Sequence, residues 1–146
     1  MMHFSQTQLI TLQREAKLAR NYYQLAEPVS VKHEFCHRLG HPSSYAFVRF
    51  DCSPATELSF ESVASWPDSV PADYRLALER AIAEGVTDTL FEGLYPKRGC
   101  TVRLMEVRYD EIGSSEAVFL WAATRAMQDL KNREWKIIIT EPTNVA

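Results

Sequence analysis

Residues 109–130, YDEIGSSEAVFLWAATRAMQDL, decide the fold of this chain, because a polar loop there leads into a helix with one apolar face. The apolar side chains recur at i, i+3, i+4, i+7, i+8 and i+11, which is the spacing of a single helix face. They are Phe119, Ala122, Ala123, Ala126, Met127 and Leu130. Ser114 is expected to cap this helix. Because three of these residues are alanines, we expect the helix to pack closely on a β-sheet.

Upstream, residues 101–109 (TVRLMEVRY) have the pattern of a strand, and residues 71–93 that of a long helix. Pro71 and Asp73 suit the first helical turn, where a missing N–H is harmless and a carboxylate interacts favourably with the helix dipole. Gly93 is the expected C-terminal stop. The apolar face of this helix consists of Tyr74, Leu78, Ala81, Ile82, Gly85 and Leu90.

Three more strands are predicted at residues 28–36, 45–52 and 58–64, and the tail at 136–140 (KIIIT) also has strand character. Residues 7–20 have the spacing of an amphipathic helix. The order is therefore helix, three strands, helix, strand, helix and tail. It predicts an α+β fold, a two-layer sandwich with two long helices on one face of a mixed sheet, plus the N-terminal helix.

The composition is that of one globular domain. The chain has 146 residues, of which 46% are hydrophobic and 24% charged, a mixture that argues against disorder. Its three cysteines form no CxxC pair and are odd in number, so we expect reduced thiols and no disulfide framework. There is neither a secretory signal pattern nor an apolar run long enough for a membrane helix, which predicts a cytoplasmic protein without a membrane partner.

The net charge of −3 excludes a simple basic nucleic-acid clamp, but the charge is distributed unevenly. Residues 1–50 carry six basic and three acidic side chains, so any attraction to phosphate should arise there. The candidate basic patch consists of Arg14, Lys17, Arg20 and Arg38. Tyr22 and Tyr23 could add stacking contacts to single-stranded RNA. The alternative is a solvated helix whose tyrosines cover the edge of the sheet.

Histidines, cysteines and carboxylates at several positions could form a catalytic or metal site, but ordinary structural roles explain them more simply. His33, His37 and His41 with Cys36 have a metal-like spacing, but their strand and turn context favours solvated or partly packed side chains. Cys36 and His37 are neighbours in a strand and point to opposite faces, so neither activates the other. Asp110 and Glu111 are more simply explained as hydrated loop carboxylates than as an acid–base pair. We therefore expect no catalytic, cofactor or metal site and no enzyme activity.

The order and spacing of several segments resemble domain IV of the translational GTPase elongation factor G, over about residues 21–142. The strongest segment, 109–116 (YDEIGSSE), is similar to that family's loop and the start of the following helix. Residues 70–74 (VPADY) resemble the family's proline before its first long helix, and residues 139–142 (ITEP) resemble its linker to the next domain. The resemblance divides the chain into an N-terminal extension (1–20), the domain (21–142) and a short tail (143–146).

The resemblance implies a left-handed β-α-β crossover and two loops at one end that reach the decoding centre of the ribosome. By that resemblance the tip residues are Gly40, His41, Pro42, Tyr45, Tyr109, Asp110 and Glu111. Asp110 and Glu111 stand where the family has a His and an Asp, so phosphate contact there would be repulsive. The chain contains no GxxxxGK[ST] motif, so we expect neither GTP binding nor GTP hydrolysis.

Two function classes remain open on the sequence alone. The first is a non-catalytic binding module derived from a translation factor, associated with the ribosome or RNA. The second is a protein–protein interaction or regulatory domain that kept the fold and lost the translational role. The basic N-terminal third favours the first class, whereas the acidic tip and the net negative charge favour the second.

Overall fold

Residues 2–3, 21–37, 44–93 and 95–139 are described by the computed structural model. Within these ranges the strands are β1 (Met2–His3), β2 (Asn21–Leu25), β3 (Val29–His37), β4 (Ser44–Pro54), β5 (Ser59–Ser62), β6 (Cys100–Arg108) and β7 (Trp135–Ile139). The helices are α1 (Ala72–Leu90) and α2 (Glu116–Lys131). Along the chain, α1 lies between β5 and β6, and α2 lies between β6 and β7.

Five strands form the main sheet in the order β1-β5-β6-β4-β3. β5 and β6 are parallel neighbours joined through α1, and the other neighbouring pairs are antiparallel. The sheet is therefore mixed, and the two helices cover one of its faces. This confirms the predicted α+β architecture of two layers. The helix predicted over residues 7–20 lies outside the described residues.

The core lies between the sheet and the two helices. On β4, alternate side chains such as Ala46, Val48 and Phe50 point towards the helices and are fully buried. All six residues of the predicted apolar face of α2 are buried as well, which confirms that face. Burial of these side chains supplies most of the hydrophobic stabilisation of the domain.

The two helices approach each other closely at Gly85. A Cβ atom at this position would lie 2.9 Å from the carbonyl oxygen of Leu120 and 3.1 Å from the Cβ atom of Ala123. Glycine on α1 and alanine on α2 are therefore required by the short distance between the helices. The small side chains predicted to allow contact with the sheet also allow this contact between helices.

A second, two-stranded sheet forms where β2 pairs antiparallel with β7. The strand character of residues 136–140 is confirmed by β7, which spans Trp135–Ile139. β2 was not predicted, and it contains Tyr22 and Tyr23. The solvated helix of the alternative interpretation lies outside the described residues. Buried residues in β2 are spaced three apart, at Tyr22 and Leu25, a spacing that does not distinguish a strand from a helix.

Two helix boundaries differ from the predicted ones. Ser115, not Ser114, is the N-cap of α2, and its Oγ accepts a hydrogen bond from the Val118 N–H at 3.3 Å. α1 ends at Leu90 with Phe91 as its C-cap, and Gly93, with φ of 101°, lies two residues further on. The turn after α1 thus still uses the left-handed conformation that glycine favours. Neither α1 nor α2 has an apolar stretch of the length needed to cross a bilayer.

Candidate functional site

β6 connects two ends of the domain that differ in character. The first, here called the loop end, comprises Tyr45 and residues 109–115. The second, here called the strand-pair end, comprises β2, β7 and residues 95–99. At about 3.3 Å per residue, the nine residues of β6 separate the two ends by about 30 Å.

Backbone and side-chain hydrogen bonds join the start of β4 to the loop after β6. The N–H of Tyr45 donates to the carbonyl of Gly113 at 3.0 Å, and the Ser114 hydroxyl donates to the carbonyl of Tyr45 at 2.7 Å. Tyr45 therefore lies beside the loop that contains Tyr109, Asp110 and Glu111. The remaining tip residues named from the sequence, Gly40, His41 and Pro42, lie outside the described residues.

Asp110 stabilises the turn in which it lies through hydrogen bonds to Gly113 and Ser114. Its Oδ2 accepts a hydrogen bond from the Gly113 N–H at 2.7 Å, and its backbone N–H donates to the Ser114 hydroxyl at 2.9 Å. Its carboxylate was expected to be simply hydrated, but one oxygen has a structural role that the sequence did not reveal. The turn carries Glu111 and Ile112 at its apex, and Ile112 is 77% exposed.

Acidic groups surround the loop end. The Tyr45 hydroxyl donates to Oε2 of Glu34 at 3.0 Å, and burial together with this bond raises the pKa of Tyr45. Arg108 is held by Glu106 at 3.2 Å and lies 4.4 Å from the centre of the Phe47 ring. With Asp110 and Glu111 exposed on the loop, this end is poorly suited to phosphate.

At the strand-pair end, β2 lies directly against the chain segment that leads into β6. The Leu25 N–H donates to the Gly99 carbonyl and the Gly99 N–H donates to the Tyr23 carbonyl, each at 3.0 Å. A Cβ atom on Gly99 would lie only 2.6 Å from the Cα of Gln24, so the close approach requires glycine. This glycine fixes the position of the two-stranded sheet relative to the main sheet.

Cations and aromatic rings meet at the strand-pair end. The Lys97 ammonium lies 4.7 Å from the centre of the Tyr23 ring and 6.0 Å from that of Trp135, and the Arg98 guanidinium lies 3.7 Å from that of Tyr22. Burial, with Lys131 nearby, lowers the pKa of Lys97. Lys97 and Arg98 were not among the predicted site residues, although two adjacent cations between Tyr95 and Gly99 could have indicated them.

The candidate basic patch lies outside the described residues, because these do not include Arg14, Lys17, Arg20 or Arg38. Arg20 nevertheless directly precedes Asn21, the first residue of β2, in the sequence. The strand-pair end adds two exposed features of its own. They are the Lys136 side chain on β7 and the apolar side chains of Ile137 and Ile139 on the same strand.

The sheet face away from the helices is polar and electrically balanced. Among the described residues, four cations share this face with four carboxylates, namely Lys32, Arg49, Arg103 and Arg108 with Glu34, Asp51, Glu61 and Glu106. Arg103 pairs with Glu61, and Arg49 pairs with Asp51 at 3.5 Å and Glu106 at 3.4 Å. This neutral face provides no net attraction for a polyanion.

His33 and Cys36 have side chains on opposite faces of β3, and the side chains of the other two candidates, His37 and His41, lie outside the described residues. His33 lies on the helix-covered side of β3, where burial and the nearby Arg125 lower the pKa of its imidazole, whereas Cys36 is exposed. Burial raises the pKa of Cys52 to about 12 and also raises that of Cys100, so neither thiol ionises near neutral pH. Across residues 21–37, 44–93 and 95–139, no group of three or more potential ligands could hold a metal ion.

One buried carboxyl group was also missed. Glu79 lies on the buried face of α1 and accepts a hydrogen bond from the Trp66 indole at 2.8 Å. Burial raises the pKa of this carboxyl, and the polar neighbours Ser62 and Trp66 oppose the shift. Its spacing of three and four residues from Ile82 and Ala83 indicated an inward position.

Comparison with known proteins shows the fold but not the family. No family model and no curated protein sequence matches this chain. Among solved structures, 59 chains match it. One is the crystal structure of a protein from Thermus thermophilus, which aligns with a TM-score of 0.68 and 20% identity over 82% of this chain. At this level of identity, the similarity is evidence for a shared fold alone.

The aligned region is a small part of the Thermus protein. It covers 18% of that chain, so the Thermus chain is more than five times as long as the region it shares with this protein. The two-layer fold described above therefore also occurs within a much larger protein.

Proposed function

We propose that this chain is a non-catalytic binding module derived from a translation factor, which associates with the ribosome or with RNA and has no GTPase activity. The observation that carries the proposal is the hydrogen-bonded arrangement of Tyr45, Gly113 and Ser114. It joins the start of β4 to the loop after β6, at the end of the domain where the resemblance to domain IV of elongation factor G expects two neighbouring loops.

The Thermus structure supports this proposal at the level of fold. A domain that makes up 18% of a long chain is what a multidomain translation factor would contain. Because the chain lacks a phosphate-binding GxxxxGK[ST] motif, the module would bind its partner without binding or hydrolysing GTP. In this proposal the loop after β6 is part of the tip, and its acidic residues Asp110 and Glu111 give it a different charge from that of the family.

RNA contact in this proposal is made at the strand-pair end. Tyr23 and Trp135 offer ring surfaces, Lys97 and Lys136 offer positive charge, and Arg20 adjoins β2 in the sequence. Aromatic rings interleaved with cations bind single-stranded RNA through stacking and phosphate contacts. In this proposal the loop end, with exposed Asp110 and Glu111, does not contact the RNA phosphates.

Co-sedimentation with ribosomes over a range of salt concentrations tests the proposal. Each lost phosphate contact should flatten the slope of log affinity against log salt by about 0.7–0.9. Lys136→Ala and the double variant Arg14→Ala/Lys17→Ala are expected to flatten it. Arg80→Ala is the matched control, since it removes an exposed cation from the middle of α1.

Each outcome has a defined meaning. A flatter slope for Lys136→Ala, with Arg80→Ala unchanged, supports contact at the strand-pair end, and a flatter slope for the Arg14/Lys17 variant supports contact by the N-terminal basic patch. Wild-type protein that does not sediment with ribosomes and does not bind single-stranded RNA contradicts the proposed function. Binding that all three variants leave unchanged contradicts the proposed surface but not the function.

The exposed apex of the loop end favours a second candidate function, a protein–protein interaction domain. Ile112 is 77% exposed on a turn that Asp110 holds closed, and it is flanked by Glu111. A fixed apolar side chain beside carboxylates suits a basic protein surface with a small apolar pocket. In that case, Ile112→Ser should abolish partner capture, whereas Lys136→Ala should not.

A further inference from the structure

β3 forms one edge of the main sheet and pairs only with β4 among the described strands. It is nine residues long, and a long unpaired edge offers its outer N–H and C=O groups to another strand. We propose that a second copy of this chain pairs with β3 in antiparallel orientation. The protein is then a two-fold symmetric dimer in which the two five-stranded sheets join into one.

The side chains of β3 alternate between two environments. Val31, His33 and Phe35 lie on the helix-covered face, and Lys32 and Glu34 are exposed on the open face. A two-fold axis perpendicular to the sheet keeps the helix-covered faces of both copies on the same side. Residues directly opposite each other must therefore both be odd-numbered or both even-numbered.

Charge selects one register from those this rule allows. With the axis at His33, Lys32 lies opposite the partner's Glu34, and by symmetry Glu34 lies opposite the partner's Lys32. An axis at Lys32 would place two lysines opposite each other, and an axis at Glu34 would do the same with two glutamates. His33 is also the middle residue of Val29–His37, so its register pairs the full length of both strands.

Lys32 is available for this pairing, because it forms no ion pair within the described part of the chain. Glu34 accepts the Tyr45 hydroxyl through Oε2 alone, which orients its carboxylate on the open face. Charged side chains on an edge strand usually prevent pairing with other chains. Here the two charges are complementary to those of a second copy in one register.

An aromatic contact beside β3 also supports a second copy of the chain as the partner. The Phe35 ring packs against Trp121 of α2 with their centres 5.6 Å apart, and Trp121 remains 46% exposed. In the His33 register, Phe35 lies opposite the partner's Val31. Pairing therefore removes apolar surface from water next to a tryptophan, one of the residue types enriched among the residues that contribute most to binding at interfaces.

Sedimentation of the full chain tests the dimer. We expect a mass of twice 16.7 kDa, and a dissociation constant raised about tenfold or more by either Lys32→Glu or Glu34→Lys, because each puts like charges opposite at two symmetric positions. The double variant Lys32→Glu/Glu34→Lys should restore dimerisation, since it exchanges the charges. A wild-type chain that remains monomeric at high micromolar concentration overturns the proposal.

A cysteine pair tests the register. Ser30 lies opposite the partner's exposed Cys36 when the axis is at His33, so Ser30→Cys should give a disulfide-linked dimer under mild oxidation. Lys32→Cys is the matched control, because it faces the partner's Glu34 and should cross-link no more than wild type. Cross-linking by Lys32→Cys in place of Ser30→Cys overturns the His33 register, as does the absence of a Ser30→Cys cross-link.

Discussion

Different interactions stabilise the structure at the two ends of β6. At the loop end, the turn at Asp110 is closed by side chains, with bonds from Gly113 to the Asp110 carboxylate and from Ser114 to the Tyr45 carbonyl. At the strand-pair end, the backbone of β2 lies against Gly99 without space for a Cβ atom. The loop end therefore depends on polar side chains, and the strand-pair end on a single glycine and on packing.

The two ends also differ in charge. Carboxylates dominate the exposed surface of the loop end, and Lys97, Arg98 and Lys136 lie at the strand-pair end with aromatic rings beside them. A domain with this distribution can attract a polyanion at one end and a basic surface at the other. The difference explains why the sequence supports two function classes at once.

The largest expected effect comes from Gly99→Ala, which breaks the contact that defines the strand-pair end. A new Cβ atom would lie 2.6 Å from the Cα of Gln24, and β2 must move away to accommodate it. We expect a loss of about 3 kcal/mol in the free energy of unfolding, measured by chemical denaturation. Hydrogen exchange should show the Leu25 amide losing its protection while the Tyr45 amide, at the loop end, keeps it.

Gly93→Ala is the control for that substitution. A Cβ atom there would meet no atom within 4 Å, but the φ of 101° is unfavourable for alanine. Backbone strain alone should cost about 1–2 kcal/mol. Equal losses for Gly93→Ala and Gly99→Ala would show that the close approach to Gln24 is unimportant and that only backbone strain matters.

The next largest effect concerns α2, which runs from the loop end to the strand-pair end. Ala122 is fully buried and Ala117 is exposed on the same helix. Ala122→Leu should therefore lower the free energy of unfolding by about 2 kcal/mol more than Ala117→Leu, because the close-packed core cannot accommodate three extra carbon atoms. Similar melting temperatures for the two variants would contradict the packing of α2 described above.

These packing features could be predicted because they repeat locally. The buried face of α2, from Phe119 to Leu130, follows from spacing alone. β2 could not be predicted in the same way, because its pairing partner, β7, lies more than 100 residues later in the chain and Gly99 belongs to neither strand. A contact between distant segments leaves little trace in the local pattern of either one.

The candidate site shows the same limit. Sequence resemblance named Tyr45, Tyr109, Asp110 and Glu111, and the structure places Tyr45 beside the loop that contains the other three. The resemblance did not indicate that Asp110 closes its own turn, since that role depends on the position of the Gly113 N–H. Lys97 was missed because its ring contacts come from β2 and β7, which are distant in sequence.

A smaller effect, on binding, tests whether the loop end repels phosphate. Asp110→Asn removes one negative charge but keeps an oxygen that can accept the Gly113 N–H. We expect slightly tighter binding to ribosomes or RNA at low salt, because the strand-pair end lies about 30 Å away, and no effect once salt makes the screening length much shorter than that distance. Asp110→His should also tighten binding and restore the family's residue, but with a loss of about 1 kcal/mol in stability, because the Gly113 hydrogen bond is lost.

The affinities of the Asp110 and Lys136 variants for the binding partner distinguish the two function classes. Weaker binding by both Asp110 variants would mean that the carboxylate is itself recognised, which favours a basic protein partner. Tighter binding by Asp110→Asn with no change for Lys136→Ala would place the contact near the loop end despite its charge. Only tighter binding by Asp110→Asn together with weaker binding by Lys136→Ala agrees with the difference between the two ends.

The smallest expected effects have opposite signs at the two ends and appear at alkaline pH. Burial lowers the pKa of Lys97 below its ordinary 10.5, and burial with the bond to Glu34 raises the pKa of Tyr45 above its ordinary 10.0. Between the folded pKa of Lys97 and 10.5, the unfolded chain holds more protons, so this group makes stability rise with pH. Above pH 10.0, the folded chain keeps the Tyr45 proton longer, so this group makes stability fall with pH.

Lys97→Met and Tyr45→Phe separate these contributions when unfolding is followed by tryptophan fluorescence from about pH 8 to about pH 11. Relative to wild type, Lys97→Met should lose stability progressively as the pH rises, because the variant lacks the group whose deprotonation favours the folded state. Tyr45→Phe should gain stability relative to wild type over the same range, because it lacks the group whose ionisation favours the unfolded state. Differences of the same sign for both variants would mean that one of the two side chains is not in the environment described, since burial acts oppositely on an ammonium and a phenol.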